Sequence, residues 1–395
     1  MIASRTSFAQ DKSLPTVLHV RVVTEQGGGP DKTILRSPRY MRSRGYDEVC
    51  AYLRAPNDTG FAQLERQASE QGAEILAIDD RGPLDWNVVQ QLVAFCRKRR
   101  VQIWHGHDYK SNALGLLVAR FVPLRLLTTV HGWVHHTCRT PLYYLVDRCC
   151  LRWYERVLCV SSDLLTTCRQ LGVRDRRCQL LENGIELEHF RRSLTPAAAR
   201  HALGLDPTIP LVGGVGRLAA EKHFAALLTA IQLLRARGQR VQAAIIGDGP
   251  ERAALQQLAA DLQLQNAVRF VGHCSDVRPW YEAMDLFALA SLREAMPNVV
   301  LEAMAMQTPV VATEIAGVPD MLAHGQAGRL VPPGDAPALA TALHELLANP
   351  TRRHTFSDSA LALVGSRFSF ERRMDRMQDI YDDLLQRPPS QRQIP

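Results

Sequence analysis

The sequence predicts an α/β protein built from two successive doubly wound parallel-sheet domains that face a cleft. Three observations carry that expectation. At 395 residues the chain is too long for one ordinary core. Short β-rich runs alternate with longer amphipathic ones, the rhythm of a parallel sheet with helices on its faces. That rhythm lapses once, around 186–208, in the polar, Pro-containing "ELEHFRRSLTPAAARHALGLDPTIP", and then restarts. The expected division is 1–193 for the first domain and 194–368 for the second. A closing helix over 369–388 packs back toward the first domain, and 389–395 form a frayed tail.

In the first domain "TVLHVRVV" is a strand, ending in the glycine loop "QGGGPDK" and a helix through "TILRSPRYMRSRG". "VCAYL", "EILAI", "VQIWHGH" and "RLLTTVHG" read as further strands, separated by helices "FAQLERQASEQG", "NVVQQLVAFCRKRR" and "SNALGLLVARF". "RVLCVS" is a short strand, and "SDLLTTCRQLG" a helix capped by Ser161 or Ser162. The second domain opens with "PLVGGVGRL", a strand and glycine loop, then the helix "FAALLTAIQLLRARG". "VQAAIIGDGP", "AVRFVGH", "DLFALAS" and "TPVVAT" follow as strands. "ERAALQQLAADLQ", "VRPWYEAM" and "ALATALHELLAN" are helices, and the amphipathic "FERRMDRMQDIYDDLLQ" closes the chain. In such sheets ligands sit beyond the carboxyl ends of the strands.

Composition narrows the class. Apolar residues make up 46% and charged residues 22%, which is globular and argues against long disorder. Nine cysteines are scattered without a C-x-x-C, against a disulfide framework or a structural zinc site. The N-terminus lacks the apolar stretch of a signal peptide and no apolar run reaches spanning length, so a cytoplasmic protein is expected. Residues 1–193 carry 28 Lys+Arg against 20 Asp+Glu, a balance of +8, and the remainder 19 against 20, a balance of −1. The basic half suits an anionic partner: phosphate groups, a membrane surface or nucleic acid. Solvated arginines are the alternative. Nucleic acid is the least supported, because the basic residues are dispersed with no aromatic stacking platform among them.

Four stretches bear chemistry. In "SLREAMPNVVLEAMA" (291–305) two glutamates stand eight positions apart in apolar surroundings, and an unpartnered buried carboxylate is costly. Pro297 suits the first helical position, which leaves Glu294 in the strand-to-helix loop and Glu302 about 7–8 Å further along the helix. The amides of Asn298, Val299 and Val300 would cap a diphosphate there, with one carboxylate for a sugar and the other for a ribose diol. A buried helix with one capping and one snorkelling glutamate is the other reading. In "GVGRLAAEKHF" (214–224), Arg217 and Lys222 could neutralise a departing nucleoside diphosphate in place of a metal ion. Two surface cations on a loop is the alternative. The glycines of "QGGGPDK" let backbone approach a ligand, but this is no G-x-G-x-x-G, and a plain tight turn would look the same. In "WHGHDYKSN", His105 and His107 form an H-x-H, yet no second ligand cluster has suitable spacing and no D-x-D occurs, so no metal is expected.

With these stretches quoted, the chain resembles the family 4 glycosyltransferases of the GT-B fold over nearly its whole length, from "HVRVVTEQGGGPDKT" to the closing helix. "EAMPNVVLE" matches that family's E-x7-E motif, preceded by "ALASLR" and followed by "AMAMQTPVVATEIAGVPDML". The resemblance implies that Glu294 contacts the donor sugar, Glu302 the ribose, and Arg217 and Lys222 the diphosphate, with Gly216 in their loop. It implies that Gly28 and Gly29 lie against donor phosphates and acceptor, and that His131 of "TTVHGWVHH" serves the donor sugar, with His135 and His136 peripheral. The "WHGHDYKSN" loop would line the acceptor side, where Lys110 could meet an acceptor phosphate. Asn183 of "LLENGIE" would contact the cleft, and "FVGHCSDV" would edge the nucleobase. One departure stands out: a glycine usually follows the first glutamate, and here it is Ala295.

The expected activity is therefore retaining, metal-independent transfer of a sugar from a UDP- or GDP-sugar to a saccharide or lipid-linked acceptor in cell-surface polysaccharide synthesis. The nucleotide-sugar is a substrate, and no cofactor is expected. "RTPLYYLVDRCCLRWYER" (139–156) mixes aromatics and arginines and is a candidate contact with an anionic membrane, or else a core helix with an arginine face. Two rivals share the donor site: a UDP-sugar epimerase, which would act on donor alone, and a non-catalytic nucleotide-sugar sensor, which would never turn over.

Overall fold

The computed structural model describes residues 14–23, 27–83, 85–132 and 140–386. His135, His136 and the tail beyond 386 lie outside them.

Seven parallel strands form the first sheet: β1 (Thr16–Val22), β2 (Asp47–Arg54), β3 (Glu74–Asp79), β4 (Val101–Gly106), β5 (Arg125–Val130), β6 (Arg156–Cys159) and β7 (Cys178–Leu180). Their order is β3-β2-β1-β4-β5-β6-β7. Six more form the second: β8 (Leu211–Val215), β9 (Gln242–Ile246), β10 (Val268–Gly272), β11 (Leu286–Leu289), β12 (Val310–Thr313) and β13 (Arg329–Val331), ordered β10-β9-β8-β11-β12-β13. Each order reverses once, at β1/β4 and at β8/β11, and those reversals are where an open parallel sheet leaves a crevice beyond its carboxyl ends.

The strands read as continuous apolar runs because helices cover both faces. β11 and β12 are buried at every position, and their sheet packs against Leu227, Ile231 and Leu343 from the flanking helices. Close packing explains a glycine in β8: a Cβ on Gly213 would fall 2.0 Å from Met284 Cε. In the first sheet, Cys50 and Tyr52 of β2 pack with Ile34, Phe61 and Leu64.

By contacts the chain divides into two compact units, one of Met1–Thr129, His135–Val157 and Met377–Pro395, the other of Val130–Val134 and Leu158–Arg376. In the first, Tyr381 of the closing helix (Phe370–Gln386) donates to Glu48 Oε1 at 3.0 Å, and Asp382 accepts from Tyr46 at 2.5 Å. In the second, Ile185 exchanges backbone bonds with Phe368 at 2.9 Å and Phe370 at 3.0 Å.

The segment around 186–208 is more ordered than its polar composition predicts. It contains a helix, Pro196–Ala202, capped by Thr195. Arg192 donates to the carbonyls of Met306 and Glu282, and Glu282 Oε1 accepts from the Ser193 hydroxyl at 2.8 Å. A helix at Pro350–Arg367, which sequence pattern did not mark, starts with Asn349 as cap and Pro350 in its first turn.

Candidate active site

The second unit gathers most of the predicted residues at the β8/β11 reversal. The loop after β8 carries Arg217 and Lys222, and the loop after β11 carries Glu294. Lys222 Nζ lies 2.6 Å from Glu294 Oε1, which also accepts from Ser291 Oγ at 2.8 Å. The Leu292 amide donates to the Glu221 carbonyl at 2.8 Å and stitches the two loops together. Glu294 keeps 9% of its side chain exposed and Lys222 24%, so the pair faces solvent at one edge. Arg217 is exposed, and its guanidinium has no ion-pair or hydrogen-bond partner among the described residues. One cation is thus held in place while the other is available to an incoming anion.

The loop's path is fixed from below. Gly216 donates its amide to the Ile246 carbonyl at 2.9 Å and Leu218 to Asp248 at 2.9 Å. Gly247 has a φ of +137°, and a Cβ there would sit 1.9 Å from the Gly216 carbonyl oxygen. Gly216 therefore serves by shape, since its amide is already used.

The glutamate helix runs Asn298–Ala305, with Pro297 as N-cap rather than at the first helical position. The Val300 amide turns back to the Pro297 carbonyl at 3.1 Å, so it is not a free donor for an anion as the sequence suggested. A tight first turn uses it up. Glu302 is 1% exposed and accepts from the Tyr281 hydroxyl at 3.0 Å. Burial, and then the adjoining carboxylate, raise the Tyr281 pKa well above its usual value, so the phenol remains a donor to Glu302. Sequence reading missed Tyr281: the bond joins residues 21 positions apart on two helices.

His131 enters the same unit just beyond β5. The next residue, Gly132, lies so near the glutamate loop that a Cβ on it would be 3.3 Å from Ala295 Cβ. Ala295, the departure from the family pattern, thus fills the space beside the His131 segment. Asn183 reaches this loop too. Its Nδ2 donates to the Met296 carbonyl at 3.2 Å and its amide lies 3.0 Å from Met296 Sδ, so it braces the loop two residues beyond Glu294.

The first unit assembles differently at its β1/β4 reversal. Gly28 and Gly29 start the helix Gly29–Ser43, but the Gly28 amide already donates to Asp31 Oδ2 at 2.7 Å. Asp31 is 2% exposed and pairs with Arg21 at 2.9 Å. Asp108 accepts from the Val22 amide at 2.7 Å and from the Ser111 amide at 2.9 Å. Two carboxylates occupy this edge, and Asp31 holds the Gly28 amide. Lys110 carries a partner of its own: its ammonium lies 2.5 Å from both Asp80 oxygens and 2.5 Å from the Gly82 carbonyl. The Asp80 carboxylate comes from the end of a neighbouring strand, and nothing in the local sequence marks the pairing. The H-x-H histidines do acquire a third partner. His19 of β1 stands in register with His105 of β4, against the expectation that no further ligand lay near.

Two parallel sheets, with paired and unpaired cations and two carboxylates at the second reversal, define a two-domain GT-B sugar-transferase architecture. The Glycosyltransferase Family 4 model matches residues 27–189, and the Glycosyl transferases group 1 model matches residues 209–349. The chain belongs to the family 4 glycosyltransferases. It is 29% identical to the Alpha-D-kanosaminyltransferase of Streptomyces kanamyceticus over 71% of this chain and 77% of that one. It is 26% identical to the lipopolysaccharide core biosynthesis mannosyltransferase LpcC of Rhizobium leguminosarum bv. viciae, over 78% of this chain and 85% of that one. Among solved structures, Anabaena Alr3699/HepE in complex with UDP and glucose superposes with a TM-score of 0.81 at 20% identity, covering 93% of this chain and 100% of that one.

Proposed function

We propose that this glycosyltransferase moves a sugar from a UDP- or GDP-sugar to a saccharide or lipid-linked acceptor in cell-surface polysaccharide synthesis, with retention and without a metal ion at the reacting bond. The observation that carries the reading is the Lys222–Glu294 pair at the β8/β11 reversal, with Arg217 exposed in the same loop as Lys222 and buried Glu302 in the helix that follows Glu294. Breaking a glycosyl–phosphate bond loads negative charge onto the diphosphate. Lys222, held against Glu294, and Arg217, exposed in the same loop, offset that charge as it grows. No covalent nucleophile is assigned, and the acceptor attacks on the face the diphosphate leaves. Glu294 and His131 orient the sugar, while Glu302, steadied by Tyr281, takes the ribose diol.

Several relatives act in lipopolysaccharide or capsule synthesis by name, which supports a saccharide or lipid-linked acceptor. With Lys110 tied to Asp80, the acceptor is recognised through its hydroxyls rather than through a phosphate at that lysine. In the first unit Leu145, 57% exposed, Val146 and Trp153 stand beside the exposed arginines 148 and 152, a surface suited to an anionic bilayer where a lipid-linked acceptor would reside. No helix among the described residues is long and apolar enough to cross a membrane.

Thermal melting with UDP-, GDP- and ADP-sugars tests the donor assignment. A ligand at about 100 times its Kd stabilises by about 2.7 kcal/mol. The expected result is a rise with one base, lost in Glu302→Ala. No rise with any donor in folded protein refutes the donor site. Conversion of donor to an isomer without acceptor would point to an epimerase instead.

A further inference from the structure

The first unit holds a cluster to which the proposed transfer assigns no role. His19, His105 and His107 are 3%, 1% and 6% exposed, far more enclosed than surface imidazoles. His19 and His105 are register partners on adjacent parallel strands, and His107 follows two residues on, so all three rings leave one face of the sheet. Their centroids lie 4.7, 5.2 and 4.3 Å apart. His19 Nδ1 is 2.9 Å from His107 Nε2, and one nitrogen from each ring falls within 4.8 Å of the others.

We propose that His19, His105 and His107 bind a divalent transition-metal ion of the zinc class, as a structural site that pins β1 to β4. Zn–N bonds of about 2.0–2.1 Å in a tetrahedral site set ligand nitrogens about 3.4 Å apart and ring centroids about 5 Å apart, close to the present arrangement. The surroundings supply what a metal-bound imidazole needs on its far side. His19 Nε2 lies 3.2 Å from Glu48 Oε1, so Nδ1 ligation turns Nε2–H toward a carboxylate. The same Glu48 oxygen accepts from Tyr381, whose hydroxyl is 3.2 Å from His105 Nδ1, while His105 Nε2 is 2.8 Å from Thr129 Oγ1. Glu48 Oε2 is buried without a hydrogen-bond partner. A buried carboxylate oxygen with an open lone pair is a poor arrangement unless a positive charge joins it. A cation between the rings would bring that positive charge and take the place of the 2.9 Å His19–His107 contact. With each imidazole 6% exposed or less, the ion proposed is structural and not a participant in transfer.

The full chain is expressed in zinc-supplemented medium, passed over a chelating resin and analysed for metal by plasma mass spectrometry. About one zinc per chain is expected. His19→Gln and His107→Gln should each cut that content at least tenfold, and Glu48→Gln should weaken zinc affinity about 10–100-fold. A second measurement does not depend on variants: wild-type protein refolded with cobalt(II) should show the bands of tetrahedral nitrogen–oxygen coordination. A thiolate charge-transfer band would instead place the ion on the buried trio Cys159, Cys168 and Cys178 and overturn the proposal. So would zinc below about a tenth of an equivalent in the isolated wild-type protein.

Discussion

Replacing Lys222 by Met and, separately, Arg217 by Met separates catalysis from folding. The two cations share a loop and a proposed role but differ in what they hold. Arg217 has no partner among the described residues, so its loss should change stability by no more than about 0.5 kcal/mol, as for an ordinary surface position. Lys222 is the counter-ion of Glu294 at 2.6 Å, and the carboxylate is only 9% exposed on its side chain. Breaking a fully buried pair costs about 3–5 kcal/mol and an exposed one about 0–1. With the ammonium 24% exposed and Ser291 Oγ still donating at 2.8 Å, an intermediate loss of about 1–3 kcal/mol is expected. That corresponds to roughly 2–10 °C in Tm. Transfer should fall about 10²–10³-fold in kcat in both variants, since each loses one group facing the leaving diphosphate. Thermal melts and initial rates read the two effects separately. Glu294→Gln in the Lys222→Met background completes a double-mutant cycle and should recover part of the lost stability without recovering rate. Equal stability losses for the two lysine and arginine variants, or a rate unaffected by Arg217→Met, would refute the reasoning.

Gly247→Ala should destabilise the second unit and weaken donor binding together, because its Cβ would collide with the Gly216 carbonyl at 1.9 Å; a melt and a donor titration decide, and unchanged donor affinity counts against the loop's role. Glu282 is desolvated, which raises its pKa, yet the Ser193 amide and hydroxyl, the Leu194 amide and Arg192 outweigh this and hold it below the usual carboxylate value. A depressed carboxylate adds stability above its unfolded pKa and loses it as pH falls through the folded one. Glu282→Gln should accordingly cost about 1–3 kcal/mol at neutral pH in a urea melt, with the gap to wild type narrowing below about pH 4. Lys110→Met should lower Tm through loss of the Asp80 pair and leave the acceptor KM unchanged; a raised KM at constant Tm would return this lysine to acceptor binding.

The architecture was readable because parallel strands buried on both faces must be apolar throughout. Runs such as "DLFALAS" and "TPVVAT" announce themselves even when only four residues pair, whereas β7 and β13, three residues each, leave no pattern to find. At the second reversal, the placement of Arg217, Lys222 and Glu294 in strand-to-helix loops and of Glu302 inside the following helix was legible from residue type and spacing. What remained hidden was partnership at long range. Asp80 reaches Lys110 across 30 residues, Tyr281 reaches Glu302 from another helix, and His19 meets His107 across 88 residues. A local window also credits helix-start amides as open donors, although Gly28 and Val300 have already spent theirs on neighbours.

The bond from Tyr381 to Glu48 spans 333 residues and has a consequence for how the protein is made. A nascent chain threading from the ribosome presents Glu48 and its histidine neighbours long before the helix that seals them exists. Until residue 381 emerges, water takes the place of that hydroxyl at Glu48, and Tyr46 waits equally long for Asp382. The first unit is therefore complete only once this late helix has been made.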